Sequence, residues 1–159
     1  KLNNKIKKYK IFKRNKLKIG VFGLGIELDG LVQKKLYGDT VYNDPIEVAN
    51  EVSSKLKFDY QCDMIVCLSH LGLEYKSEKV SDLKVAENSS YIDLIIGGHT
   101  HSFLEKAIII TNQINKKVVV SQAGYGGIKL GRLEFIFNKK NEIKKVISTL
   151  EDIKSMNFS

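Results

Sequence analysis

The chain has 159 residues, 43% of them apolar and 28% charged, with 26 basic side chains, 18 acidic ones and a formal net charge of +8. That is one domain's worth of chain, long enough to bury a core, and the composition is that of an ordinary globular protein rather than a disordered or fibrous one. No run of about 18 apolar residues occurs, so no helical membrane span is expected.

The charge is unevenly spread. Lys1 to Lys18 holds nine basic residues and no acidic one, which leaves 17 basic against 18 acidic residues in the remainder. A nucleic-acid-binding face spreads Lys and Arg over the folded surface with aromatics between them. A basic leading segment on a near-neutral body is not that pattern, and a nucleic-acid partner is not expected. The chain opens on Lys1, with no apolar leader segment behind it. Because it opens without Met, this decides nothing about export.

Tyr9 to Arg14 and Leu17 to Phe22 read as two strands joined by a tight Asn15-Lys16 turn, a hairpin. Gly23 to Gly30 follows as a glycine-punctuated loop. It lacks a Gly-Lys-Ser/Thr ending and dinucleotide spacing, so it is neither a P-loop nor a dinucleotide fingerprint, and Glu27 and Asp29 read as solvated acids. Residues 31–43 look irregular. A helix then starts with Asp44 as N-cap, Pro45 at its first position and Glu47 in capping-box register. Ile46, Ala49, Val52 and Leu56 recur at helical spacing, which predicts a helix lying on one face of a sheet.

Met64 to Leu68 is a short continuous apolar run, the signature of a strand buried on both faces. It runs into Ser69-His70-Leu71-Gly72. A short helix is expected over Asp82 to Asn88, then a second buried strand over Ile92 to Ile96, ending at Gly97-Gly98-His99-Thr100-His101. Ala107 to Ile110, Val118 to Gln122, Arg132 to Phe137 and Ile143 to Leu150 read as strands joined by polar turns with no helix between them, and Gly124, Gly126, Gly127 and Gly131 make a glycine-rich connection. Cys62 and Cys67 sit five apart near one strand. Odd spacing predicts opposite faces, hence buried thiols rather than a disulfide, which leaves the redox compartment open.

The first part therefore predicts a parallel βαβαβ unit, because parallel strands need crossovers, and the second part predicts antiparallel strands. The loops after the strands ending near Gly23, at His70 and at His99 then gather at the carboxyl edge of the sheet, where open α/β sheets bind ligands. The chain has three histidines, and all of them fall in these loops. On an extended backbone His99 and His101 point the same way, and the two preceding glycines allow a sharp turn and room for a ligand. His70, His99 and His101 are the candidate ligands of a divalent metal such as zinc, iron or manganese. Neither cysteine lies at that edge, so an open hydrolytic site is expected in place of a closed structural one.

The strings "DMIVCLSHLG" and "IDLIIGGHTH", with the later "QAGYGGIKLGRLEF", resemble the calcineurin-like metallophosphoesterases, in particular the 5'-nucleotidase branch. The resemblance runs from about Tyr9 to Ile147. It implies a four-layer αββα sandwich, of which this chain supplies a parallel sheet portion and antiparallel strands. It also implies two divalent metal ions (Zn, Mn, Fe or similar), His70 and His99 on one and His101 on the other, and a phosphate ester, most naturally a nucleotide, as substrate. Such paired ions lie about 3.5–4 Å apart. The glycine-lined loops near residues 23–25 and 124–127 would flank the substrate.

Three other motifs of the family, Asp-x-His, Gly-Asp-x-x-Asp and Gly-Asn-His, occur nowhere in the chain. The expectation is therefore that residues 1–159 form the carboxyl-terminal part of one metallophosphoesterase domain, with the partnering amino-terminal half elsewhere, and that this piece alone does not hydrolyse phosphate esters. The alternatives are a catalytically inactive binding domain of the same fold and, less in keeping with the charge pattern, a basic nucleic-acid-binding protein. The compartment stays open, since the family includes exported and periplasmic members.

Overall fold

The computed structural model describes residues 6–153, so the first five residues of the basic leading segment lie outside it. In chain order the elements are β1 (Tyr9–Arg14), β2 (Leu17–Leu24), α1 (Lys34–Tyr37), α2 (Pro45–Phe58), β3 (Met64–Ser69), α3 (Asp82–Asn88), β4 (Leu94–Ile96), β5 (Ile108–Thr111), β6 (Lys117–Ser121), β7 (Lys129–Phe137) and β8 (Ile143–Asp152). Six strands form one sheet in the order β1-β2-β3-β4-β6-β5, and β7 pairs with β8 in a second.

The expected hairpin is present. Arg14 pairs with Leu17 across Asn15-Lys16, and Asn15 adopts φ 51°, a left-handed conformation that asparagine tolerates well. Helix α2 begins as its sequence dictates: the Asp44 carboxylate accepts hydrogen bonds from the Ile46 and Glu47 amides at 2.8 and 2.9 Å, and Pro45 opens the first turn. Its Ala49, Val52 and Leu56 are buried. Helix α3 is capped by Ser81, whose hydroxyl accepts from the Lys84 amide.

Alternation of side chains across the sheet makes two cores. On one face Phe22, Ile65, Cys67, Ile95, Val118 and Val120 pack with Leu56 of α2 and Val85 of α3. On the other, Met64, Val66, Leu94 and Val119 meet Leu133, Phe135, Phe137 and Val146 of the β7–β8 sheet. The layers are thus helices, six-stranded sheet and two-stranded sheet. The fourth, outer helical layer of the expected sandwich is absent among the described residues.

Several expectations are corrected. Val118 to Gln122 is expected among the antiparallel strands, but β6 pairs parallel with β4, so β2, β3, β4 and β6 run the same way. The reason is topological: after β4 the chain passes without a helix to the edge strand β5, then turns back through residues 112–116 into β6, which runs antiparallel to β5 and so parallel to β4. Strand β2 runs on to Leu24, so Gly23 lies in the strand and the loop starts at Gly25. Strand β4 is shorter than Ile92–Ile96, because Asp93 precedes it and its carboxylate is taken up by the Ile65 amide at 2.7 Å. One turn of helix, α1, forms within residues 31–43. Cys62 and Cys67 are free and buried as expected, but both belong to the helix-side core. Cys62 lies before β3, and the chain bends at Asp63 between the two cysteines, so strand alternation does not relate the two thiols.

Leu56 is fully buried, and its methyl groups lie 3.0 Å from the position a Cβ on Gly20 would take. Leu56→Ala should cost about 2–5 kcal/mol of stability by leaving a cavity under α2. Urea unfolding followed by circular dichroism measures this.

Candidate metal centre

The site is set by strand register. Leu24 of β2 pairs with Ser69 of β3, and Leu68 of β3 pairs with Ile96 of β4, so the three carboxyl ends are level. The His70 amide donates to the Leu24 carbonyl at 2.9 Å, which carries the ladder one residue past β3. His70 leaves the sheet there, and His99 comes three residues after β4. Their rings meet edge to face, with centroids 5.3 Å apart and planes at 69°.

The glycines do not act as expected. Neither Gly97 nor Gly98 has a positive φ; the left-handed residues are His99 at 69° and His101 at 56°. The two histidines are therefore not on an extended backbone, and strand alternation does not aim them. A left-handed conformation in a non-glycine residue costs on the order of 1 kcal/mol and clusters at functional sites. The glycines are needed for space. A Cβ on Gly98 would stand 3.1 Å from His70 Nδ1, and one on Gly97 would run into the Asp82 carboxylate.

His101 turns toward the glycine-rich connection, where its ring stacks on Tyr125 with centroids 4.9 Å apart and planes at 29°. Tyr125 also meets Phe103 edge to face. Gly124, Gly126 and Gly127, all at positive φ, bend the chain that carries Tyr125. The structure thus pairs His70 with His99 and places His101 against Tyr125. No group of three or more His, Cys, Asp or Glu side chains is gathered closely enough to hold an ion among the described residues.

The donor chemistry nonetheless suits a metal. Partial burial, reinforced by the charges of His70, Lys79 and His101, lowers the His99 pKa and favours the neutral imidazole, the form with a free lone pair. A cavity of about 780 Å³ opens beside the end of β2, lined by Gly25, Glu27, Asp29, Tyr37, Tyr42 and Asn43, and the histidines do not line it. Asp29 there accepts a hydrogen bond from Tyr37.

The residues that hold the histidine loop are not among the sequence candidates. Gln122, 2% exposed at the end of β6, donates through Nε2 to the Gly98 carbonyl at 2.8 Å. Its Oε1 accepts from the Ser102 amide and from Thr100 Oγ1. Thr100 Oγ1 in turn accepts from the Leu73 amide, which ties the loop to the segment after His70. One side-chain amide thus brackets His99 and His101. Its signal in the sequence is a polar residue two places beyond a continuous valine run, at the head of the "QAGYGG" string.

The chain is 32% identical over 133 residues to the trifunctional nucleotide phosphoesterase protein YfkN of Bacillus subtilis, a match that takes in 84% of this chain and 8% of that one. The solved 5'-nucleotidase precursor from Thermus thermophilus superposes with a TM-score of 0.78 at 25% identity, covering 95% of this chain and 31% of that chain. The solved calcineurin-like phosphoesterase YfkN from Bacillus subtilis superposes with a TM-score of 0.75 at 22% identity, covering 96% of this chain and 52% of that chain. The chain belongs to the calcineurin-like phosphoesterases, in the 5'-nucleotidase branch. Protein-family models give no match. As a calcineurin-like phosphoesterase the chain is short, spanning 8% of its Bacillus relative and less than a third of the Thermus one.

Gln122→Ala should speed amide exchange at Ser102 and cost about 1–3 kcal/mol, the penalty for buried polar groups left unpaired. Exchange monitored by NMR reads both. A second expectation concerns pH. Burial pushes the Asp82 carboxyl up to about 6, with the nearby Ser69 hydroxyl pulling the other way. Burial also pushes Asp93 up to about 6. A raised carboxyl contributes stability that is complete below its unfolded pKa, near 3.8, and lost as pH rises through 6. The melting temperature should therefore fall between about pH 4 and pH 6. Asp82→Asn should flatten that fall in part, leaving the share due to Asp93, as a pH series of thermal melts will show.

Proposed function

We propose that this chain supplies part of a divalent-metal centre for hydrolysis of phosphate esters, with nucleotides as the substrate class. In this reading His70 and His99 bind one ion and His101 a second. The observation that carries it is the His70–His99 imidazole pair at the carboxyl edge of a parallel sheet, in a chain of the 5'-nucleotidase branch. Divalent ions bound there supply Lewis-acid neutralisation of phosphoryl charge.

The chain's own residues do the positioning. Gln122 and Thr100 hold the His99 loop, and Tyr125 braces the His101 ring. Three imidazoles do not fill the coordination shells of two ions, so the reading requires further donors from outside the described residues. The surface supports it: Leu68 and Ile96, at the carboxyl ends of β3 and β4 on the face that β7 and β8 cover elsewhere, are 49% and 42% exposed. Apolar side chains beside a candidate site mark where more of the same domain packs. We read the 159 residues as one portion of a single domain, and the amino-terminal portion as the partner that brings the remaining ligands.

Zinc or manganese titration by calorimetry tests the ligand assignment. His70→Ala and His99→Ala should each weaken binding by at least about tenfold, the smaller size seen when even outer-shell partners are disturbed. Turnover of p-nitrophenyl phosphate with added manganese should be absent for the 159-residue chain and present when it is joined to an amino-terminal half carrying the other motifs. Unchanged affinity in both variants would remove the assignment.

A further inference from the structure

Asp82 is the most anomalous side chain in the described structure. It is fully buried, and neither carboxylate oxygen has a hydrogen-bond partner of good geometry, although the Ser69 hydroxyl acts on the carboxyl as a donor. No other buried side-chain polar atom among the described residues is left so. A poorly satisfied carboxyl in a core costs stability, so its presence calls for a structural reason.

Its position is specific. Asp82 opens α3, and its amide donates to the Gly72 carbonyl at 2.8 Å, so it is anchored to the loop that follows His70. Its Oδ2 occupies the space over Gly97, where a Cβ could not be accommodated, at the start of the loop that carries His99. The same hypothetical Cβ would lie 3.1 Å from Nε2 of Gln122. The Ser69 hydroxyl, one residue before His70, is close enough to act on the carboxyl, and Cys67 and Tyr75 both feel its charge. The carboxyl therefore lies against the chain just ahead of each of the two paired histidines.

We propose that Asp82 is a positioning residue, a buried wedge between the β3 and β4 loops whose side-chain volume over Gly97 sets the spacing of the His70 and His99 rings. Asp82 does not reach a metal or a substrate in this role; it acts through Gly97 and Ser69. Gly97 is glycine because the carboxyl occupies the space of its missing side chain. The inference builds on the metal reading above, but its geometric content stands without metal.

The decisive experiment uses four variants of the 159-residue chain: Asp82→Asn, Asp82→Ala, Gly97→Ala and the double Asp82→Ala/Gly97→Ala. Ring resonances of His70 and His99 are followed by NMR without metal, and zinc affinity by calorimetry. Asp82→Asn keeps the volume and should leave both rings unshifted. Asp82→Ala and Gly97→Ala should each shift them and weaken zinc binding about tenfold or more. The double variant, in which the added methyl enters the vacated space, should restore the resonances toward wild type and bind zinc more tightly than either single variant. Unshifted rings in Asp82→Ala, or losses in the two single variants that simply add in the double, would overturn the proposal. Failure of the wild-type chain to bind zinc would sink the metal reading instead, while the ring resonances still decide the role of Asp82.

Discussion

Everything at this site depends on the register of three parallel strands. Pairing of Leu24 with Ser69 and of Leu68 with Ile96 makes their carboxyl ends level. His70 and His99 are far apart in the chain, and no local interaction could bring them together. Backbone hydrogen bonding between β3 and β4 does so, which requires those strands to be buried on both faces. Their apolar runs permit that burial, since Ile65, Cys67 and Ile95 are completely enclosed beneath the helices. A slip of one residue would exchange the two faces of the strand, place Ile65 against β7–β8, and separate the imidazoles.

The parts of the fold that are legible in the sequence are those governed by short-range rules. The Asp44-Pro45 helix start, the Asn15-Lys16 turn and the Met64 run each follow from the backbone preferences of a few residues, and each is where those preferences put it. The placement of β6 is not legible in the same way. Val118 to Val120 is a continuous apolar run, which signals a central strand, but its parallel pairing with β4 depends on a helix-free crossover that no local signal encodes. The family resemblance fixes the class of architecture, and the second sheet packing on Met64, Val66 and Leu94 agrees with it.

At the site, the histidines are visible because they are few and stand at strand ends. The framework around them is not, because its residues act by volume and by hydrogen bonds over long sequence distances. Gln122 reaches back 24 residues to the Gly98 carbonyl, and Thr100 reaches 27 residues to the Leu73 amide. The glycines matter, but through space and not through backbone freedom. Strand-like alternation would aim His99 and His101 alike, yet both sit in left-handed conformations, and His101 leaves toward Tyr125. What Gly97 and Gly98 contribute is the absence of a side chain where Asp82 and His70 come close.

This division of labour has a physical logic. A loop that must bend through left-handed histidines needs an outside force to hold it, because unstrained conformations are open to it in isolation. Gln122 supplies that force from below through three hydrogen bonds, two of them to backbone. Thr100 links the loop to its neighbour. Strain on the ligands and rigidity beneath them belong together: imidazoles aimed by a relaxed, mobile loop would bind each metal more weakly, because binding would also have to order the loop. A pre-ordered pair is fixed during folding, when the apolar core on both faces of the sheet offsets the lost entropy. The same reasoning explains why Gln122, the centre of the Gln-Thr-Ser network, is buried. In water each of its bonds would contribute little, whereas under the loop an unmade bond leaves a desolvated polar group, and the arrangement that satisfies all of them at once is the one that presents His99 to His70.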